Sequence, residues 1–172
     1  MGAYFAPGMY VINGGGVNLN GSSTYCVGSG SCSSTTTGVI FYLTGTDANY
    51  SGFTVGNGST AKFNGPTSGD LEGVLVYSDP IITAPTTAPS SCAYPGLSNG
   101  ASSFCGGSNS VLNGIIYLPN TEVAFTNGTG TGGAISLVVK DAVFNGGSNV
   151  FSSVSGGVLQ SSNSGSKSYL IE

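Results

Sequence analysis

Gly38-Val-Ile-Phe-Tyr-Leu-Thr-Gly45, Gly73-Val-Leu-Val-Tyr-Ser-Asp-Pro80 and Gly114-Ile-Ile-Tyr-Leu-Pro-Asn120 are one phrase written three times. Each opens on glycine and runs through β-branched, aromatic and aliphatic residues. Each then ends in Gly, Pro, Asp or Asn. Shorter echoes are Tyr10-Val-Ile-Asn-Gly14 and Ile135-Ser-Leu-Val-Val-Lys-Asp-Ala-Val-Phe144. Val, Ile, Tyr and Phe suit a pleated, half-buried surface, and the flanking residues are turn formers. A strand that returns every few dozen residues points to stacked β architecture. We therefore expect an all-β fold, a right-handed parallel β-helix-like stack with long disulfide-stapled loops. A β-sandwich or jelly roll is the alternative.

The residues between these phrases fill in the expected course. Met9–Ile12 and Val17–Asn20 read as strands about a turn at Asn13-Gly-Gly-Gly16. Residues 21–37 read as a loop, and 38–44 as a strand. Phe53-Thr-Val55 and Ala61-Lys-Phe63 read as short strands split by Gly56-Asn-Gly-Ser59. Gly65-Pro-Thr-Ser-Gly69 turns into a strand at 73–77. Residues 79–110, with Pro80, Pro85, Pro89 and Pro95, read as one long irregular stretch. Strands follow at 115–118, 122–125 and 135–144, with weaker candidates at 150–151, 158–159 and 169–171. Glycine density and β-branching oppose any helix.

The composition narrows function by exclusion. Of the 172 residues only 6% are charged, against about 25% in an average domain. The chain has no His and no Arg, and its cations are Lys62, Lys140 and Lys167. With a net charge of −4, it lacks the basic groups that phosphate neutralisation needs, so no nucleic acid partner is expected. No apolar run reaches the roughly 18–20 residues of a membrane span, so this segment is not expected to insert directly in a membrane. Residues 1–172 read as a single β domain, the C-terminal part of a larger anchored protein.

The four cysteines fall in two local pairs, Cys26 with Cys32 and Cys92 with Cys105, each in a Ser/Gly/Thr-rich stretch. Neither spacing is that of a zinc site, and no His is present. Local disulfides are the expected pairing, which implies an oxidising compartment: extracytoplasmic, cell-surface or secreted.

Candidate chemistry is sparse. Asp70, Glu72 and Asp79 form the one local group of carboxylates and flank one strand. A polysaccharide-cleaving pair is conceivable there, since glycoside hydrolysis uses two carboxylates about 5–9.5 Å apart. Turn and strand-end residues kept in solvent are the plainer reading. Calcium on these three with backbone carbonyls is chemically permitted, but no Asp-rich repeat supports it, so no metal and no cofactor is expected. Ser-His-Asp and Cys-His mechanisms lack their His. Tyr25, Tyr50 and Tyr94 lie in or beside loops, where tyrosine offers contact area and a hydroxyl. Tyr94, Asp79, Asp70 and Glu72 are the candidate ligand-binding residues. Thr44-Gly-Thr46 and Thr129-Gly-Thr131 would be fragments of an ice-binding array, although two pairs make no array.

Four phrases taken in order are Phe5-Ala-Pro-Gly-Met-Tyr-Val-Ile-Asn-Gly-Gly15, Gly38-Val-Ile-Phe-Tyr-Leu-Thr-Gly45, Gly65-Pro-Thr-Ser-Gly69 with Gly73-Val-Leu-Val-Tyr-Ser-Asp79, and Leu112-Asn-Gly-Ile-Ile-Tyr-Leu-Pro119. Together they resemble the C-terminal extracytoplasmic region of TadG-like bacterial proteins associated with tight-adherence (Flp) pilus assembly. The resemblance implies an envelope or surface location and an anchoring segment upstream; it imports no catalytic residues. The expected function is a non-enzymatic surface module for adhesion or for pilus- or envelope-associated assembly. A carbohydrate-active or ice-binding β-helix is the alternative. Carbohydrate or a surface protein would be the partner, with self-association through an uncapped first rung.

Overall fold

The computed structural model describes residues 2–28, 32, 38–56, 58–89, 95–105, 110–126 and 133–145. Every regular element among them is a strand: β1 (Gly2–Phe5), β2 (Gly8–Asn13), β3 (Gly15–Leu19), β4 (Thr24–Val27), β5 (Val39–Thr44), β6 (Tyr50–Val55), β7 (Thr60–Asn64), β8 (Val74–Ser78), β9 (Ser102–Phe104), β10 (Val111–Phe125) and β11 (Ile135–Phe144). They form one curled eleven-stranded sheet.

All the ladders among these strands are parallel, and they fall into three series. The first runs β1–β4–β7 and onto Val111–Asn113 of β10. The second runs β2–β5–β8, onto Ile115–Tyr117 of β10, then β11. The third runs β3–β6–β9, onto Val123–Phe125 of β10, then the far end of β11. The chain visits the three series in the same order on each circuit. The antiparallel pairings that a β-sandwich or jelly roll needs do not occur among the described residues.

The recurring glycine has a steric reason. A Cβ on Gly38 would lie 2.2 Å from the carbonyl carbon of Gly65, and one on Gly114 would lie 2.4 Å from the Gly73 carbonyl oxygen. Gly114 also has φ +134, which side chains rarely adopt. Each phrase begins where successive circuits touch backbone to backbone.

Inward side chains stack in columns. Tyr10, Phe41, Val76, Ile116 and Leu137 are in register along the second series. In the third, Phe53, Phe104, Phe125 and Phe144 stack nearly parallel, with ring centroids 5.7, 4.9 and 5.4 Å apart. Burying the rings of Phe53, Phe104 and Phe125 contributes roughly 1.5–3 kcal/mol each, and each offset pair adds about 0.5–1.5 kcal/mol, whereas Phe144 at the end of the column is exposed.

Several sequence expectations are corrected. The loop at 21–37 contains β4, which the expected loop boundaries hid. The irregular stretch at 79–110 contains β9. The strands expected at 115–118 and 122–125 are one element, β10, with a register shift between Leu118 and Glu122. The chain also forms β1 ahead of the first expected strand at Met9. The candidates at 150–151, 158–159 and 169–171 lie outside the described residues. Cys26 and Cys32 are bonded, with Cα atoms 5.5 Å apart. Cys105 is buried and disulfide-bonded; Cys92 lies outside the described residues.

Candidate functional site

In the second series β5 turns Phe41 and Leu43 into the core and Tyr42 and Thr44 to the outer surface. Register brings Val11, Tyr42, Tyr77, Tyr117 and Val138 into one row. The three tyrosine rings stack at 5.0 Å centroid spacing, 19° and 14° from parallel. Each is half-buried. The tyrosine of each recurring phrase is therefore a rung of one outer ladder. The sequence contains this signal, because Tyr sits four residues after Gly38 and Gly73 and three after Gly114, whereas the candidate tyrosines Tyr25, Tyr50 and Tyr94 lie in or beside loops.

Asp79 closes this row at its downstream side. Its Oδ2 accepts from the Tyr42 hydroxyl at 3.2 Å and from Thr44 Oγ1 at 3.0 Å, and its Oδ1 accepts from the Ile81 N–H at 3.1 Å. The Ile81 bond first, then those of Thr44 and Tyr42, hold this carboxyl below the usual Asp range. Desolvation, followed by the neighbouring Asp79 charge, pushes the Tyr42 phenol up.

The other candidates separate from it. Asp70 and Glu72 are exposed on the turn before β8, whereas Asp79 follows that strand. Five residues of extended chain put the two ends roughly 16 Å apart, beyond the reach of a hydrolytic pair or of one cation. Asp70 instead rims a shallow groove of about 390 Å³ whose floor includes Met9, Ile40, Pro66 and Leu71. Among the described residues no three His, Cys, Asp or Glu side chains gather as a metal-binding group. Tyr50 is fully buried, not a surface contact; its hydroxyl points toward Ser78 and Thr121 without reaching either at hydrogen-bonding geometry, and burial pushes its pKa up. Tyr25 is half-buried, its hydroxyl donating to the Asn20 carbonyl. Tyr94 lies outside the described residues, as do Thr129 and Thr131.

Sequence reasoning missed the residues that fasten the segment after β8. Asp47 accepts from the Thr83 N–H at 2.9 Å and from its hydroxyl at 3.3 Å. Glu122 accepts from the Ser98 N–H at 2.8 Å and hydroxyl at 2.6 Å, bonds that lower its pKa. Asn120 donates to the carbonyls of Pro80 and Ile82 at 3.1 and 3.0 Å. Ile82 is fully buried among these anchors. Lone acidic residues, Asp47 between β5 and β6 and Glu122 within β10, carry no pattern that announces such roles. Comparison with protein-family models, with curated proteins and with solved structures returned no match.

Proposed function

We propose that this chain is a right-handed parallel β-helix serving as a non-enzymatic, extracytoplasmic surface module for adhesion or envelope-associated assembly. Three parallel series visited in fixed order support the β-helix, and the strong right-handed preference of parallel crossovers supports its hand. The Cys26–Cys32 bond supports an oxidising compartment. No helix among the described residues is long and apolar enough to cross a membrane.

The observation that carries the adhesive reading is the outer row Tyr42–Tyr77–Tyr117 ending at Asp79. It offers phenol hydroxyls, ring edges and one ionised carboxylate on a rigid sheet, the chemistry that recognises polyhydroxylated ligands. The resemblance to TadG-like proteins favours a pilus-associated setting for it. By contrast, Asp79 and Glu122 are engaged in fastening bonds, and the Thr44 hydroxyl is bonded to Asp79. These bonds weigh against the hydrolytic and ice-binding readings.

A glycan array probed with the oxidised chain tests this, with Tyr77→Ala and Tyr117→Ala alongside. Selective binding lost in both variants is the expected result. Binding that both variants retain would move recognition off this face. Binding to no glycan would leave a protein partner on the same row, to be sought by cross-linking to surface extracts.

A further inference from the structure

We infer that the corner between the second and third series binds one internal water molecule, held by the hydroxyls of Tyr50, Thr121 and Ser78. The inference is independent of the adhesive reading, because all three residues are buried. Successive circuits turn this corner in different ways. Residues 45–49 carry the chain from β5 to Tyr50, the first residue of β6. Ser78 ends β8, and alternation along that strand turns Val76 and Ser78 inward on either side of Tyr77. The strand β10 passes the corner unbroken, with a register shift between Leu118 and Glu122, and Thr121 lies in that shift.

The hydroxyls of Tyr50 and Thr121 are both buried and both lack a hydrogen-bond partner. The Tyr50 hydroxyl is aimed at Thr121 and Ser78 together and bonds to neither. A buried hydroxyl left unpaired costs free energy, so such groups are nearly always matched by protein or by ordered water. Groups that converge on one point without pairing directly are bridged by a third body. Water fits that role, because it both donates and accepts and bonds a few polar partners at once. The neighbouring carboxylates do not supply a charge to hold a cation here. Asp79 is bonded to Tyr42, Thr44 and the Ile81 N–H, and Glu122 is bonded to Ser98. The ligand is therefore neutral, small and hydrogen-bonding.

The segment after β8 packs against the same corner. A Cβ on Gly100 would stand 3.1 Å from Tyr50 Cδ1 and 2.5 Å from Pro85 Cβ, and Gly100 has φ +71. Only glycine lets this segment cross so close to the Tyr50 ring. Asn120, next to Thr121, donates to the carbonyls of Pro80 and Ile82, and the Ile82 side chain is fully buried. A water enclosed in this way leaves only when the segment lifts, which makes its residence long compared with tumbling of the molecule.

Magnetic relaxation dispersion of water in solutions of the oxidised full chain tests this, since it counts waters that stay longer than the protein takes to tumble. Thr121→Ser keeps the hydroxyl. Tyr50→Phe combined with Thr121→Val leaves Ser78 as the only one of the three. The expected result is one long-lived water fewer in the double variant than in the unaltered chain, and no change in Thr121→Ser. Equal counts in all three proteins would overturn the inference. If the double variant does not fold, a crystal structure of the unaltered chain decides the point. Density about 2.5–3.0 Å from both Tyr50 Oη and Thr121 Oγ1 is expected. A direct hydrogen bond between those two hydroxyls, with no density bridging them, would overturn it.

Discussion

Asp79 stands near the end of the second recurring phrase, and its carboxylate holds the sheet and the following segment together. It accepts from Tyr42 and Thr44 on β5 and from the Ile81 N–H of the segment itself. Those bonds favour the ionised form, so its folded pKa lies below the unfolded value of about 3.9. A group shifted this way stabilises the fold fully above the unfolded value, and the contribution is lost as pH falls through the folded one. Glu122, bonded to Ser98, acts in the same direction. We expect the melting temperature to hold steady near neutrality and to fall below about pH 4. Asp79→Asn should make that acid limb shallower, because an amide still accepts from Ile81 but does not titrate. Calorimetry of both proteins between pH 2 and 7 decides it (roughly the range where carboxyls change charge). Acid limbs of identical slope would show that Asp79 is not a source of the pH dependence.

Among the elements, β9 is the one whose sequence least suggests a strand. Ser102-Ser-Phe104 lies within a Ser/Gly/Pro-rich stretch, yet all three residues are buried. The Ser102 hydroxyl oxygen accepts from the Phe53 N–H on β6 at 3.0 Å, and Ser103 Oγ lies 3.4 Å from Thr54 Oγ1. The Ser102→Ala variant would strip a buried amide of its side-chain acceptor. The expected cost is about 1–3 kcal/mol with an unchanged urea slope. A loss under about 0.5 kcal/mol would mean that Phe53 N–H finds another partner. This polar pairing explains where legibility ended. The second series was readable because Val, Ile, Phe and Tyr mark its strands, and β11 fell on its expected bounds, Ile135–Phe144. The first and third series include β4 and β9, whose three or four residues take their stability from neighbouring strands, which a local window cannot see. The site divided similarly. Asp79 is legible only as one of three neighbouring carboxylates, which the structure separates, and the tyrosine row exists only once parallel register aligns the phrases.

For the whole molecule, stacking makes stability a nearest-neighbour quantity. A strand inside a series is held on two sides, one at the first edge on one side, and repeat arrays open from such ends. Among the described residues, β5 and β8 each have ladder partners on both sides, whereas β1, β2 and β3 have one on one side. Amide exchange should therefore be graded. Protection is expected to be high at Phe41, Leu43 and Val76 and low across the first circuit. Within β2 it should alternate, with Tyr10 and Ile12 protected through β5 and Met9 and Val11 exchanging fast at the edge. Hydrogen exchange read residue by residue at low protein concentration resolves both patterns. Uniform protection from β2 to β8 at low concentration would contradict the graded stack.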